Sequence, residues 1–198
     1  MPREATVLIV PGLRDHVPQH WQTLLASQLP RVRTVTPMGR DNLDCQARID
    51  AIEQAAAAID GPIIVVAHSG GVIAVVHWAR MTRRAVRGAL LATPADFDQP
   101  LPDGYPSCES LEGAGWLPVP RNALPFRSIV AASRNDPLAH PERVAAFARS
   151  WGSELVDLGE VGHLNPASGF GEWPQAVSLI NELDATASHC WLKQRLSA

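Results

Sequence analysis

The stretch 63–72 constrains the fold more than any other part of the chain, because the apolar pattern changes its period there. A largely β-branched run leads to Ser69, and apolar residues then recur at helical spacing. This change predicts a buried strand that turns sharply into a helix. Small residues flank the serine in a Gly-x-Ser-x-Gly pattern, with Ala67 in place of the first glycine and Gly71 as the second. The pattern is typical of a nucleophile elbow, whose strained turn lifts the serine hydroxyl above the sheet edge.

Candidate partners for Ser69 follow two later strand patterns. Asp136 comes shortly after the apolar run 128–132, and His163 comes shortly after the run 154–158. Catalytic groups of an open parallel sheet gather where its strands end, so we expect the three side chains to meet. The order serine, aspartate, histidine along the chain is the one that α/β-hydrolases use. The sequence thus predicts a triad with Ser69 as nucleophile, His163 as base and Asp136 as the acid that orients the base.

Each of these residues also has a plainer interpretation. Ser69 fits a tight turn that only needs small residues, and His163 fits an ordinary histidine in a surface loop. Asp136 lies in Asn-Asp-Pro, which is a favoured turn sequence. Other acidic residues are weaker candidates for the triad, because they lie inside a strand pattern or in an irregular segment: Asp157, Asp96, Asp98 and Asp103.

Length and charge limit the class of protein. The chain has 198 residues, of which 46% are hydrophobic, and this is enough for one domain with a substantial core. The net charge of −3 and the lack of a basic cluster argue against nucleic-acid binding. No apolar run approaches the roughly 20 residues of a membrane span, and no apolar signal segment precedes the first strand pattern. We therefore expect a cytoplasmic protein that binds neither nucleic acid nor membrane.

The cysteines and histidines do not form a metal-binding pattern. Three cysteines without CxxC spacing favour packing over disulfides or structural zinc: Cys45, Cys108 and Cys190. Cys108 is also a candidate reactive thiol, although no activating group is near it in the sequence. His16 and His20 are four residues apart, but Pro18 lies between them and no third ligand is suitably spaced. Gly12 follows a strand pattern without the rest of a phosphate-binding motif. We expect neither a metal nor an organic cofactor.

Strand and helix patterns alternate along most of the chain. The strand patterns are separated by helices in a repeated βα order and lie at 6–10, 32–35, 63–68, 88–93, 128–133 and 154–158. The last two helices are expected to open at Pro141 and Pro174. Repeated βα units require a parallel sheet with helices on both faces. The predicted fold class is therefore α/β, a three-layer sandwich around a six-stranded parallel sheet.

The alternation lapses at about 94–125. Seven of the 17 prolines lie in this segment, which disfavours regular helix there. Irregular segments of this length are usually lids, binding loops or disordered segments, and the aromatic side chains of Tyr105 and Trp116 favour an ordered lid over a flexible linker. We expect this lid-like insertion to follow the catalytic edge of the sheet and to govern which acyl groups the site accepts.

Several short motifs resemble the small α/β-hydrolases of the YdeN and retinoblastoma-binding-protein-9 type. They sample nearly the whole chain: Val10-Pro11-Gly12, His20-Trp21-Gln22, His68-Ser69-Gly70-Gly71, Asn135-Asp136-Pro137, and Gly162-His163-Leu164-Asn165 running on to Ser168-Gly169-Phe170-Gly171-Glu172-Trp173-Pro174. The last motif is the most specific of them. The sequence departs from the pattern at Ala67 and at Gly70, where relatives often carry a larger residue. The resemblance implies a compact hydrolase that lacks the first two strands of larger relatives, with Ser69, Asp136 and His163 as its triad.

The chemistry of such a hydrolase predicts further site residues. Two backbone N–H groups must stabilise the oxyanion, and we expect them at Gly70 and Leu13. We also expect substrate contacts from side chains near the elbow, in the motifs and in the insertion: Gly12, Trp21, His68, Tyr105, Trp116 and Trp173. The predicted activity is cleavage of a small-molecule ester or amide through an acyl-enzyme. The alternative is a protein-interaction module on a hydrolase scaffold, motivated by the resemblance and by tryptophans that look exposed.

Overall fold

A six-stranded parallel sheet forms the centre of the molecule. The structure, a computed structural model, describes residues 4–14, 17–39 and 41–195, with side chains up to residue 185. The strands are β1 (Thr6–Val10), β2 (Val32–Thr34), β3 (Ile63–His68), β4 (Val86–Ala92), β5 (Ser128–Ala132) and β6 (Glu154–Asp157). They lie in the order β2-β1-β3-β4-β5-β6, and each neighbouring pair is parallel. The predicted sheet is confirmed.

Helices cover both faces of this sheet. The described helices are α1 (Trp21–Gln28), α2 (Cys45–Ala57), α3 (Gly70–Trp78), α4 (Cys108–Gly113), α5 (Pro141–Trp151) and α6 (Gln175–Arg195). Buried residues of α1 and α6 belong to the core on one face, and buried residues of α2, α3 and α5 belong to the core on the other. The three predicted layers are therefore present.

The central strand β3 shows why its sequence is apolar without interruption. Ile63, Val65 and Ala67 belong to one core, whereas Ile64 and Val66 belong to the other. A strand with helices on both faces has no solvent-facing side, so the usual alternation of apolar and polar residues disappears. The same burial holds the end of β3, and hence Ser69, in a fixed place.

The observed strand boundaries differ from the predicted ones by at most two residues, and one prediction about helix is wrong. β4 begins at Val86, two residues before its predicted start, and the last helix begins directly after Pro174. The segment 94–125 contains the helix α4, which the proline content had disfavoured. No proline interrupts it, and the Ser107 hydroxyl caps its first turn by accepting the Ser110 N–H (3.1 Å).

Hydrogen bonds and an ion pair hold the insertion at 94–125 to the rest of the fold near its start, in its middle and near its end. Near its start, buried Asp96 pairs with Arg143 of α5 (2.6 Å). In its middle, the indole N–H of Trp116 donates to the carbonyl of Leu43 (2.7 Å). Near its end, the indole N–H of Trp151 donates to the carbonyl of Pro120 (2.8 Å). These contacts hold an irregular chain in one arrangement above the sheet edge.

The two cysteines with described side chains, Cys45 and Cys108, lie in helices and away from the strand ends that carry the predicted triad. Cys45 is buried at the start of α2, and burial raises the pKa of its thiol to about 12, so it stays protonated. Cys108 is half-buried at the start of α4, and the side chain of Cys190 lies outside the described residues. Among the described residues, no helix has the length and apolar content that a membrane crossing requires.

Candidate active site

Ser69 lies in the turn between β3 and α3. Its backbone has a φ of 58° and a ψ of −130°, a conformation that residues with a side chain rarely adopt. The Ser69 N–H donates to the carbonyl of Ala92 at the end of β4 (3.1 Å), which ties the turn to the neighbouring strand. The turn therefore has the strained strand-to-helix geometry that lifts a side chain above the sheet edge.

Gly71 allows the loop after β1 to pack directly on the first turn of α3. A Cβ atom at position 71 would lie 2.3 Å from the carbonyl oxygen of Pro11, far inside contact distance. A Cβ atom at position 70 would lie 2.8 Å from Cγ of Leu13. The glycines of the elbow thus bring Leu13 and Ser69 to the same place.

Replacing Gly71 with alanine is expected to destabilise the protein by about 3 kcal/mol or more, because the new methyl group would meet backbone that cannot move aside. Urea unfolding measures the change. Gly113→Ala is the matched control, since Gly113 lies in the short helix α4 and a Cβ atom there meets nothing within 4 Å. Equal changes for the two variants would contradict the close approach.

His163 and Asp136 reach Ser69 from the loops that follow β6 and β5. Nδ1 of His163 lies 2.9 and 3.0 Å from the two carboxylate oxygens of Asp136, and Nε2 lies 2.7 Å from Oγ of Ser69. Both side chains are almost fully buried. With the imidazole proton on Nδ1, which donates to the carboxylate, Nε2 is free to accept the serine hydroxyl. The structure therefore brings the three residues of the predicted triad into one hydrogen-bonded row.

Asn135 joins the loops that carry Asp136 and His163. Its Oδ1 accepts the N–H of Gly162 (2.7 Å) and the hydroxyl of Ser133 (3.0 Å). The Ser133 hydroxyl in turn accepts the N–H of Val161 (3.2 Å). Asp136 and His163 are therefore positioned as a unit. This role of Asn135 was not predicted, because its only signal in the sequence is its place directly before Asp136.

Two backbone N–H groups next to Ser69 have no partner within the part of the chain that the structure describes. They belong to Leu13 and Gly70, the residues predicted for the oxyanion hole. Gly12 lies against the nucleophile, since a Cβ atom there would be 3.1 Å from Cβ of Ser69. These two N–H groups are available to a negatively charged oxygen beside the serine.

His68 is buried directly beside this row. Its Nε2 donates to the backbone carbonyl of His163 (2.9 Å), and its ring lies 4.9 Å from that of His163 and 4.8 Å from that of His20. Burial, with smaller contributions from repulsion by His163 and His20, holds the pKa of His68 well below its ordinary value of 6.5. The imidazole is therefore neutral in the folded protein and supports the backbone of His163.

The buried, neutral state of His68 predicts that acid destabilises the protein. Its folded-state pKa is lowered, so the unfolded chain binds more protons below about pH 6.5, and stability falls with pH from that value downward. One such group costs up to about 1.4 kcal/mol per pH unit. Thermal melts from about pH 8 to 5 should show a smaller loss for His68→Gln, which keeps an N–H donor but cannot titrate. Parallel curves for the variant and wild type would contradict this account.

A pocket of about 220 Å³ opens beside Ser69. Six predicted site residues line it: Gly12, Leu13, His68, Ser69, Tyr105 and His163. The other lining residues were not predicted as site residues: Arg14, Val17, His20, Ala95, Phe97, Leu101, Leu138, Asn165, Pro166 and Ala167. The insertion contributes Ala95, Phe97, Leu101 and Tyr105 to the wall of the pocket. Most of the lining residues that were not predicted are therefore apolar.

Three predicted substrate contacts are wrong, because the tryptophans concerned lie in the cores. Trp21 and Trp173 pack edge to face (4.8 Å between ring centroids) and line a separate cavity that contains no triad residue. Trp116 is fully buried and packs on Phe97 (5.3 Å), so it supports the pocket wall from behind.

Burial also removes the tryptophan argument for an interaction module. Every tryptophan with a described side chain is at most 9% exposed: Trp21, Trp78, Trp116, Trp151 and Trp173. These side chains are core residues, and none of them forms an exposed aromatic patch.

The four aspartates considered as alternatives to Asp136 either pair with an arginine or lie exposed. Asp96 and Asp98 pair with Arg143, and Asp157 pairs with Arg134, while Asp103 is exposed in the insertion. The hydrogen bond from Arg134 lowers the pKa of Asp157. None of the four forms a hydrogen bond with His163 in the described structure.

The histidine pair considered for a metal is only partly described. His16 lies outside the described residues. Nδ1 of His20 accepts the N–H of Gln22 (3.2 Å) at the start of α1, so its ring serves as a helix cap.

Comparison with known proteins gives a family for this arrangement. A family model described as serine hydrolase matches residues 7–182. No curated protein sequence is similar enough to the chain to count as a match.

Solved structures share the fold over almost the whole chain. A protein assigned as a YdeN-like hydrolase from Pectobacterium atrosepticum is 28% identical, with a TM-score of 0.80 and coverage of 92% of each chain. The ydeN gene product of B. subtilis is 18% identical, with a TM-score of 0.71 and coverage of 90% of this chain and 98% of that one. Est1E from Butyrivibrio proteoclasticus, with ferulic acid bound, is 14% identical, with a TM-score of 0.64 and coverage of 93% and 88%. The predicted α/β-hydrolase fold is confirmed.

Proposed function

The chain belongs to the YdeN-type serine hydrolase family and is a hydrolase, and on this premise we propose that it cleaves a small ester or amide through a covalent acyl-enzyme. The observation that carries the proposal is the row of hydrogen bonds from Ser69 through His163 to Asp136. A serine hydroxyl is a weak nucleophile unless a base removes its proton during attack, and this row supplies the base.

In the first half of the reaction, Oγ of Ser69 attacks the carbonyl carbon and its proton passes to Nε2 of His163. Asp136 keeps the imidazole in the required tautomer and stabilises the imidazolium that forms. The oxyanion accepts hydrogen bonds from the N–H groups of Leu13 and Gly70, and each such donor is worth about 3 kcal/mol of barrier. The leaving group then takes the proton from Nε2 and departs, which leaves the acyl-enzyme.

In the second half, water replaces the leaving group. His163 takes a proton from water as the water oxygen attacks the acyl carbon, and it returns this proton to Oγ of Ser69 when the acid is released. The pocket of about 220 Å³ and its mostly apolar wall favour a short acyl group. We further propose that residues 1–198 form one domain in which the segment 94–125 acts as a lid-like wall that selects the acyl group.

Labelling with a fluorophosphonate tests the proposal. Such a probe phosphonylates an activated serine, so intact-mass measurement is expected to show a single adduct on wild type and no adduct on Ser69→Ala. Prior incubation with a short-chain ester should slow the labelling. Folded protein without an adduct, or an adduct that persists in Ser69→Ala, would overturn the proposed nucleophile.

A further inference from the structure

Arg14 is the one side chain with a permanent charge among the described residues that line the pocket. It directly follows Leu13, whose N–H is a candidate oxyanion donor. The other described lining side chains that contain nitrogen are three imidazoles and the amide of Asn165. The described lining includes no carboxylate. The Arg14 side chain is exposed, so its guanidinium is accessible to an anionic group of a substrate that enters the pocket.

The guanidinium of Arg14 is held in place from the insertion. Its Cζ lies 3.8 Å from the centre of the Tyr105 ring, and Nη2 donates to the carbonyl of Gly104. A guanidinium has five N–H donors in a rigid plane. The stacking on Tyr105 and the bond to Gly104 therefore fix the group while leaving most of its donors unused.

Within the described residues, Arg14 has no carboxylate partner. Arg121 of the insertion and Arg143 of α5 both pair with Asp98 of the insertion. Arg121 and Arg143 thus have a carboxylate partner in the insertion, whereas Arg14 contacts a carbonyl and an aromatic ring there. An oriented guanidinium with spare donors is suited to bind a carboxylate through two parallel hydrogen bonds.

We infer that the substrate carries a carboxylate that Arg14 binds. The inference rests on the proposed function, because the same pocket holds the scissile bond next to Ser69. The substrate class is an ester or amide with its anionic group on the acyl chain or on the leaving group. Arg14 is then a specificity-determining residue, since it contacts the substrate away from the reacting atoms.

Matched ester pairs test the inference. On the acyl side, the p-nitrophenyl monoester of glutaric acid is compared with p-nitrophenyl pentanoate. On the leaving-group side, the butyrate ester of para-hydroxybenzoate is compared with that of its methyl ester. In at least one pair, the anionic-to-neutral ratio of kcat/KM is expected to fall by about 10- to 100-fold in Arg14→Gln. Which pair responds identifies the end of the substrate that carries the charge.

Two further variants and a salt series complete the design. Arg80→Gln changes the net charge equally at the far end of α3, where Arg80 is exposed, and should leave both ratios unchanged. Arg14→Lys keeps the positive charge but lacks the planar guanidinium that forms two parallel hydrogen bonds, so it should lose less selectivity than Arg14→Gln. In wild type, added NaCl should lower the ratio of the responding pair.

The outcomes separate this inference from the proposed function. Neutral esters that are cleaved by wild type, with anionic-to-neutral ratios that Arg14→Gln and salt both leave unchanged, would overturn the inference and reduce Arg14 to a strut for the insertion. Failure of wild type to cleave any of the four esters or to react with the fluorophosphonate would overturn the proposed function itself. If Arg14→Gln does not fold, Arg14→Lys and the wild-type salt series decide the question.

Discussion

Replacing Ser69 with alanine is expected to lower kcat for ester hydrolysis by roughly 10⁴- to 10⁶-fold. The substitution removes the atom that would form the acyl bond and that lies 2.7 Å from Nε2 of His163. Thermal stability is expected to stay close to that of wild type. Serine and alanine share the cost of the positive φ at this turn, and the methyl group needs no more room than the hydroxyl.

Steady-state hydrolysis of a p-nitrophenyl ester, with thermal melts in parallel, measures both effects. Ser27→Ala is the matched control, because Ser27 is exposed in α1 and its hydroxyl bonds only to the helix backbone. This control should retain wild-type activity. Residual activity of Ser69→Ala above about 1%, in protein purified free of contaminating esterases, would remove Ser69 from the mechanism.

Asp136→Asn is expected to lower kcat by roughly 10⁴-fold while preserving the fold. The carboxylate accepts the proton on Nδ1 of His163 with both oxygens, at 2.9 and 3.0 Å. An amide in its place can donate to Nδ1, which favours the tautomer whose Nε2 carries the proton and cannot accept the serine hydroxyl. The loss should therefore appear in kcat rather than in KM.

Asp157→Asn provides the comparison for this prediction. Asp157 also follows a strand at the catalytic edge, but it is half exposed and pairs with Arg134. Its substitution should change kcat by less than about twofold, because its ion pair is exposed and Asp157 does not contact His163. A severe loss for Asp157→Asn together with a mild one for Asp136→Asn would reverse the assignment of the acid.

The fold could be predicted because its signals are local. A strand buried on both faces must be apolar throughout, which made β3 visible, and helical spacing after Ser69 marked α3. The helix α4 was missed because proline content is an average over a segment, whereas a helix needs only a few residues without proline. The six residues from Cys108 to Gly113 meet this condition, and the Ser107 cap starts them.

The positions of Ser69, Asp136 and His163 could be predicted because strand ends of a parallel sheet converge. Their catalytic roles stay a prediction that the variants above test. Side chains that meet only through tertiary packing could not be found in this way. Arg14 and Phe97 lie on different segments, and no spacing rule links them to one pocket.

The tryptophans show the opposite error, since core residues were predicted as substrate contacts. Trp116 lies in an irregular, proline-rich stretch, so its position suggested a surface contact, yet its indole is buried against Phe97. Burial of an aromatic residue in such a stretch depends on what packs beneath it, and this information is spread over distant parts of the chain. Composition alone therefore could not separate a substrate contact from a core residue.

His163 is carried by the loop after β6, which is an outer strand of the sheet, whereas Ser69 follows the fully buried β3. Three of the four residues of β6 are exposed. Segments with few buried contacts open at a lower free energy than the core does. Partial detachment of β6 would separate His163 from Ser69 while the core on the face of α2, α3 and α5, which contains no residue beyond Trp151, stays intact. Heat or denaturant should therefore abolish activity before the main change in tryptophan fluorescence, to which Trp78, Trp116 and Trp151 of that core contribute, so that inactivation reports local opening of the sheet edge and fluorescence reports global unfolding.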